Sequence, residues 1–335
     1  MRIFVTGAAG FIGFHVARRF MRDGHSVHGF DGLTPYYDPQ LKRDRLAILE
    51  RADAYRNHVG MLEDFDALRA AYEAASPDLV IHLAAQAGVR YSLENPRAYV
   101  DANLVGFFNL IECARERPPR HLLCASTSSV YGERRDAPFF EGDRTDFPLT
   151  LYAATKKANE AMAHAYAHLW SLPTTMFRFF TVYGPWGRPD MAPLKFVEAI
   201  EEGRSIDIYN HGAMRRDFTY VDDLVEAIVR LAECVPAPGG ATDDPSASPV
   251  APFRVVNIGR GAPVALLDFI DAVEAALGKK TQRNLLPMQK GDVPQTFADC
   301  SLLERLTGYR PSTSVAAGVD ELVRWVRERR GAGRG

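Results

Sequence analysis

The chain predicts an α/β fold, a doubly wound parallel sheet of Rossmann type with a smaller C-terminal α/β domain. Three observations carry this. Short apolar strand-like runs alternate with helix-like runs up to about residue 180. A glycine-rich turn joins the first strand to the first helix. Residues suited to chemistry follow the strand ends, where ligands of such sheets bind.

The strand-like runs are Ile3–Thr6, Ser26–Phe30, Leu79–Leu83, Leu122–Ala125 and Thr174–Phe180, with helical patterns near 11–22, 63–75, 97–116 and 152–170 between them. The first unit, 1–180, reads as a nucleotide-binding domain, with returns to it near 215–234 and 253–258. Residues 181–330 belong mainly to the second domain. The Pro/Gly/Ser-rich segment 235–252 reads as a flexible surface loop, and 331–335 as a disordered tail.

After the first strand comes Gly7-Ala8-Ala9-Gly10-Phe11-Ile12-Gly13. Gly7 allows a tight turn, Gly10 lets backbone approach a pyrophosphate, and Gly13 lets the helix sit close to the strand. The spacing Gly-x-x-Gly-x-x-Gly is weak evidence alone. It gains force from the second strand, which ends in Asp31. A carboxylate there binds both ribose hydroxyls and repels a 2′-phosphate, and no Arg follows it directly, so NAD is favoured over NADP.

The second constellation is Thr127-Ser128-Ser129 together with Tyr152 and Lys156. Tyr at i and Lys at i+4 share a helix face. An ammonium beside a phenol favours the phenolate, so the spacing predicts a Tyr152 pKa below the usual value of about 10. The hydroxyls can share the proton. Beside a nicotinamide, the set moves a proton on or off an alcohol carbon.

Composition excludes other classes. With 335 residues and a net charge of −2, the chain buries a sizeable core and lacks the basic excess of a nucleic-acid binder. No run of 18 apolar residues and no leader pattern appear, so no membrane insertion is expected. Cys113, Cys124, Cys234 and Cys300 lack metal spacing and read as reduced cytoplasmic thiols. His164 and His168 lie at i and i+4 with no third ligand nearby, and no metal site is expected.

Five longer stretches carry a family resemblance: His82–Pro96, Leu151–Glu160, Arg178–Met191, Arg216–Asp223 and Leu286–Val293. With them the chain resembles the extended short-chain dehydrogenase/reductases of the nucleotide-sugar epimerase branch, and within it the UDP-glucuronate 4-epimerases. The resemblance implies bound NAD, a UDP-sugar substrate held by the second domain, and a homodimer through helices near 97–116 and 152–170. It implies Thr127, Tyr152 and Lys156 as catalytic residues. For the cofactor it implies Gly7, Gly10, Phe11, Ile12, Gly13, Asp31, Leu62, Leu83, Ala84, Ala85 and Asn103, besides Tyr152 and Lys156. For the substrate it implies Gln86, Arg90, Ser128, Ser129, Thr181, Arg188, Lys195, Arg216, Gln289 and Asp292.

Within that branch, dehydrating relatives carry Thr-Asp-Glu and decarboxylating ones Thr-Ser-Glu at the position of Thr127-Ser128-Ser129. Ser129 removes the Glu. The implied reaction oxidises sugar carbon 4, turns the 4-keto sugar over, and reduces its other face. The ketone makes a glucuronate carboxylate prone to leave, so Ser128, Ser129 and Thr181 are the expected hydroxyl donors that hold it. Gln289 and Met61 stand where relatives have Arg and Asp. Decarboxylation of UDP-glucuronate, epimerisation of a neutral UDP-hexose, and a catalytically silent NAD sensor are the alternatives. Trp186 suits either shielding of the sugar or packing.

Overall fold

The computed structural model describes residues 1–134, 136–239, 244 and 246–332. In chain order the strands are Arg2–Thr6 (β1), Ser26–Asp31 (β2), Tyr55–Val59 (β3), Leu79–His82 (β4), His121–Thr127 (β5) and Thr174–Phe179 (β6). Then follow Thr181–Tyr183 (β7), Ile206–Ile208 (β8), Arg215–Tyr220 (β9), Phe253–Ile258 (β10), Pro263–Ala265 (β11) and Arg283–Leu285 (β12).

Seven strands form one parallel sheet in the order β10-β6-β5-β4-β1-β2-β3. β1 and β4 are neighbours although two strands intervene in sequence, so the strand order reverses beside β1. A crevice opens there at the carboxyl ends of the strands. The central strands β1, β4, β5 and β6 are almost wholly buried because helices cover both faces. Phe14, Val16, Leu224 and Ile228 belong to the core on one side, and Leu68, Tyr72, Leu110 and Ile111 to that on the other.

β10 lies at the sheet edge beside β6, and helix Val221–Glu233 packs on helix Phe11–Arg22. Residues 215–220 do not return to this sheet. As β9 they pair with β7 and β11 in a separate three-stranded sheet, while β8 pairs with β12. The three-stranded sheet supplies Thr181, Val182 and Arg216 to the wall of a ligand cavity.

Two elements depart from the alternation read in the sequence. Helix Pro39–Leu49 starts at Asp38, whose side chain accepts from Gln40 N at 2.9 Å, with Pro39 in the first turn. β3 is an edge strand of mixed polarity, and Arg56, Asn57 and His58 hide it from an apolar pattern. The expected helix near 97–116 is three pieces: a turn at Pro96–Tyr99, a π-helical stretch at Val100–Val105, and an α-helix from Gly106 to Glu116. Of the expected tail, Gly331 and Ala332 end the last helix, and 333–335 lie outside the described residues. Of the expected loop 235–252, residues 240–243 and 245 also lie outside them. His164 bonds Ser248 Oγ and His168 bonds Val250 O, each at 2.9 Å, so these two rings seat the described end of that segment.

The glycine turn shows why its residues are small. Gly7 has φ +74°, and a Cβ on it would stand 2.7 Å from Ala84 N. A Cβ on Gly13 would collide with the Gly7 carbonyl oxygen. Gly13→Ala should therefore push the first helix off β1. The expected loss of stability is about 1–3 kcal/mol, the usual cost of overpacking, read as a lower urea midpoint. An unchanged midpoint would show that the helix gives way freely.

Candidate active site

A cavity of about 830 Å³ runs along the carboxyl edge of the large sheet. Gly7, Gly10, Phe11, Ile12, Gly13, Asp31, Leu62, Leu83, Ala84 and Ala85 line one end. Gln86, Thr127, Ser128, Ser129, Tyr152, Lys156, Thr181 and Arg188 also border it, as do Arg216 and Asp292. Residues far apart in the sequence thus share one space.

The first end suits a dinucleotide. Helix Phe11–Arg22 begins at Gly10, and its first intrahelical bond is Phe14 N to Gly10 O at 3.1 Å. The N–H groups of Phe11, Ile12 and Gly13 are left without intrahelical partners, beside the cavity, and favour an anion. Asp31 is oriented by Ala9 N on Oδ2 at 3.1 Å and Leu33 N on Oδ1 at 2.8 Å. The residues present therefore fit NAD.

The chemistry-bearing residues come from two rigid elements. β5 ends at Thr127, whose Oγ1 accepts from Ser129 N at 3.2 Å and caps a short 3₁₀ turn holding Ser128 and Ser129. Helix Leu151–Trp170 starts at Thr150, whose hydroxyl accepts from Ala153 N at 3.3 Å. Tyr152 and Lys156 face the cavity from its first turns.

Their electrostatics correct the expected depression of the Tyr152 pKa. Enclosure by the protein raises it, while the Thr127 hydroxyl and the Arg188 charge pull weakly the other way. Lys156, 2% exposed, is pushed down to about 8 by the same loss of water. The i, i+4 spacing brings the groups together; desolvation decides the direction. Cys124 and His82 stand near Lys156, and burial keeps both neutral, the thiol pushed up to about 12 and the imidazole well down.

Four expected contacts lie off the cavity wall. Asn103 is buried behind it: Nδ2 donates to Gln86 O at 3.0 Å, and Oδ1 accepts from Gln86 N at 2.8 Å. It fixes the backbone that lines the cavity rather than lining it. Lys195 points to solvent from helix Ala192–Glu201. Gln289 has a buried Oε1 with no partner among the described residues and also lies off the wall. Arg90 is half exposed at the rim, 3.7 Å from Asp292 and stacked over Tyr209. Arg216 does reach the cavity, where its Nη2 donates to Asp292 Oδ1 at 2.7 Å. Arg188 is paired with Asp190, which also accepts from Tyr36 at 3.0 Å. Trp186 packs between Phe14 and Trp325 and lies off the cavity wall.

Thr34, Tyr36, Tyr37 and Lys42, outside the residues expected from the sequence, line the cavity beyond Asp31. Lys42 Nζ donates to Thr34 O and Oγ1, each at 3.0 Å. On the same helix Arg45 donates to Ala9 O at 2.8 Å and Trp186 O at 2.6 Å, locking the glycine turn to the loop that carries Arg188. The Asp38-Pro39 helix start was the available signal. Among the described residues no group of three or more His, Cys, Asp or Glu side chains could hold a metal.

Residues 3–241 match the model of the NAD dependent epimerase/dehydratase family. A probable UDP-glucuronate 4-epimerase of Rhizobium meliloti (strain 1021) is 60% identical over 97% of this chain and 96% of its own length. UDP-glucuronate 4-epimerase 4 of Arabidopsis thaliana is 46% identical over 96% of this chain and 74% of its own. The UDP-glucuronic acid 4-epimerase of Bacillus cereus, solved with UDP-glucuronic acid and NAD, superposes with a TM-score of 0.88 at 30% identity, covering 98% of this chain and 100% of that one. On its glycine cradle, its sheet order and these matches, the chain belongs to the NAD dependent epimerase/dehydratase family.

Proposed function

We propose that this protein interconverts UDP-glucuronate and UDP-galacturonate by inverting sugar carbon 4. One observation carries the reading. A single cavity joins a dinucleotide cradle to the Arg216–Asp292 pair, and the groups around Tyr152 are hydroxyls, with no acid at 128 or 129. The near full-length relatives named UDP-glucuronate 4-epimerase support the same substrate.

NAD, held by the glycine turn and Asp31, would supply reversible hydride exchange with sugar carbon 4 and would be regenerated in each turnover. Tyr152 accepts the proton of the carbon 4 hydroxyl, with Thr127 beside it to share that proton. In this reading an ammonium on Lys156, one turn along the helix, favours the phenolate, against the desolvation that raises the Tyr152 pKa. Ser128, Ser129 and Thr181 hold the sugar carboxylate by hydrogen bonds and add no charge. Held out of line with the carbon 4 ketone, that carboxylate stays attached. Arg216 takes the diphosphate, with Asp292 holding the guanidinium in place. Tight grip on UDP and loose grip on the sugar let the ring turn between the two transfers.

In this reading 1–180, with the helix at 221–233 and the strand at 253–258, hold NAD, and the rest of 181–330 holds the UDP-sugar. Two copies pair through helices Gly106–Glu116 and Leu151–Trp170. In support, Val105, Phe108, Leu169 and Trp170 expose apolar surface there, and Ala161 and Ala165 leave room for close helix approach. Among the described residues no helix is long and apolar enough to cross a membrane, and all four cysteines are free, in keeping with work in the reducing cytoplasm.

The direct test is incubation with UDP-glucuronate and no added NAD. UDP-galacturonate without carbon dioxide is expected. A UDP-pentose with carbon dioxide would make the protein a decarboxylase, and no change would send the search to neutral UDP-hexoses or to a silent role. Thr181→Ala should raise carbon dioxide relative to epimer, and a flat ratio would remove Thr181 from the carboxylate grip. Lys156→Met should cut turnover at pH 7 by about 100-fold or more, the scale of one acid–base group. Removing the cation makes the phenol harder to ionise, so the residual rate should climb with pH; a flat residual rate would show that Lys156 does not act on Tyr152.

A further inference from the structure

Tyr152, Lys156 and Glu160 lie at i, i+4 and i+8 of one helix, so they share a face. The first two border the cavity, and Glu160 is buried behind them. Its Oε1 accepts from Ser126 Oγ at 2.7 Å and Arg178 Nε at 2.9 Å, and its Oε2 accepts from Arg178 Nη2 at 2.9 Å. Ser126 immediately precedes Thr127 in β5, and Arg178 faces Ser126 across the β5–β6 ladder. One carboxylate thus ties the helix to two adjacent strands. Arg178 is itself held by Glu141 O at 3.0 Å and by the Tyr131 ring 4.7 Å below its guanidinium.

Burying such a pair is expensive, and apolar side chains of like volume would serve stability as well. The pair's position suggests a different use. Removing water from Lys156 disfavours its ammonium, and Glu160 acts in the opposite direction. Cys124 on β5 and His82 on β4 also face Lys156, both held neutral by burial, and Lys157 stands at the rim 3.4 Å from Glu160.

We propose that Glu160, held by Arg178, is a positioning residue for the reaction: through Ser126 it fixes Thr127 against Tyr152, and its charge keeps Lys156 an ammonium. The proposal rests on the epimerase reading of the same site, and turnover of UDP-glucuronate by the unaltered protein tests that reading separately.

Glu160→Gln alone would leave the Arg178 charge buried and unpaired, so the variants are E160Q/R178Q and S126A. Both should retain NAD and keep KM for UDP-glucuronate within about twofold, since Glu160 and Arg178 lie behind the cavity and Ser126, though it borders the cavity, turns its hydroxyl to Glu160. In E160Q/R178Q kcat should fall about 10- to 100-fold, the scale of lost alignment. Its alkaline limb should also move to lower pH by about one unit, because Lys156 loses its proton earlier. In S126A the charge remains, so kcat should fall about 3- to 10-fold from lost alignment alone, with the limb unmoved. An unmoved limb in E160Q/R178Q overturns the electrostatic role. An unchanged kcat in S126A overturns the positioning role, and this holds even if the double variant fails to fold.

Discussion

The central constraint is that a phenol and an amine, one turn apart on helix Leu151–Trp170, share one enclosed cavity, with Lys156 buried and Tyr152 partly buried at its wall. Loss of water there makes each neutral form the comfortable one: Tyr152 keeps its proton and Lys156 is ready to lose one. Such a site is quiet by default. Charge brought beside it tips the balance, and the surrounding structure controls which charges are present. Glu160 lies behind Lys156, Arg188 acts on Tyr152 from the far wall, and the nearby thiol and imidazole are held neutral. Low local dielectric makes each of these contributions larger than it would be in water.

Position comes from the sheet. Because all seven strands run parallel, their carboxyl ends bring Gly7, Asp31, Ala84 and Thr127 to one edge from four different strands. The glycine turn works because Gly7 and Gly13 leave no room for a side chain. Arg45 then joins that turn to the loop carrying Arg188, so the cofactor end and the sugar end share one rigid support. The three-stranded sheet adds Thr181 on β7 and Arg216 on β9, which pair in one ladder, with Phe218 of β9 opposite Thr181.

Much of this was legible in the residues, for physical reasons. Buried parallel strands must be apolar, so β1, β2, β4, β5, β6 and β10 announce themselves, whereas the edge strand β3 needs no such pattern and was missed. The glycines, Asp31, Tyr152 and Lys156 are readable because local geometry demands those residue types. Residues whose roles depend on which way a helix faces were less so. Lys195 has the right charge but points to solvent, and Asn103 has the right place but turns its amide to backbone. The Tyr152 pKa was read with the wrong sign because spacing reports the neighbour and not the water lost. The Glu160–Arg178 pair is not legible in the sequence, since it forms only where helix Leu151–Trp170 packs on β5 and β6 and the strand register sets Arg178 beside Ser126.

Desolvation raises the Tyr152 pKa and should hold it as a phenol until positive charge is placed beside it. The measurement is a pH titration of tyrosine labelled with carbon-13 at Cζ, followed by NMR, with Tyr152→Phe to assign the resonance. In protein freed of NAD, Tyr152 should stay protonated beyond the ordinary value of about 10, and adding NAD should lower its titration. A Tyr152 resonance already that of a phenolate near pH 7 without the cofactor would contradict the account.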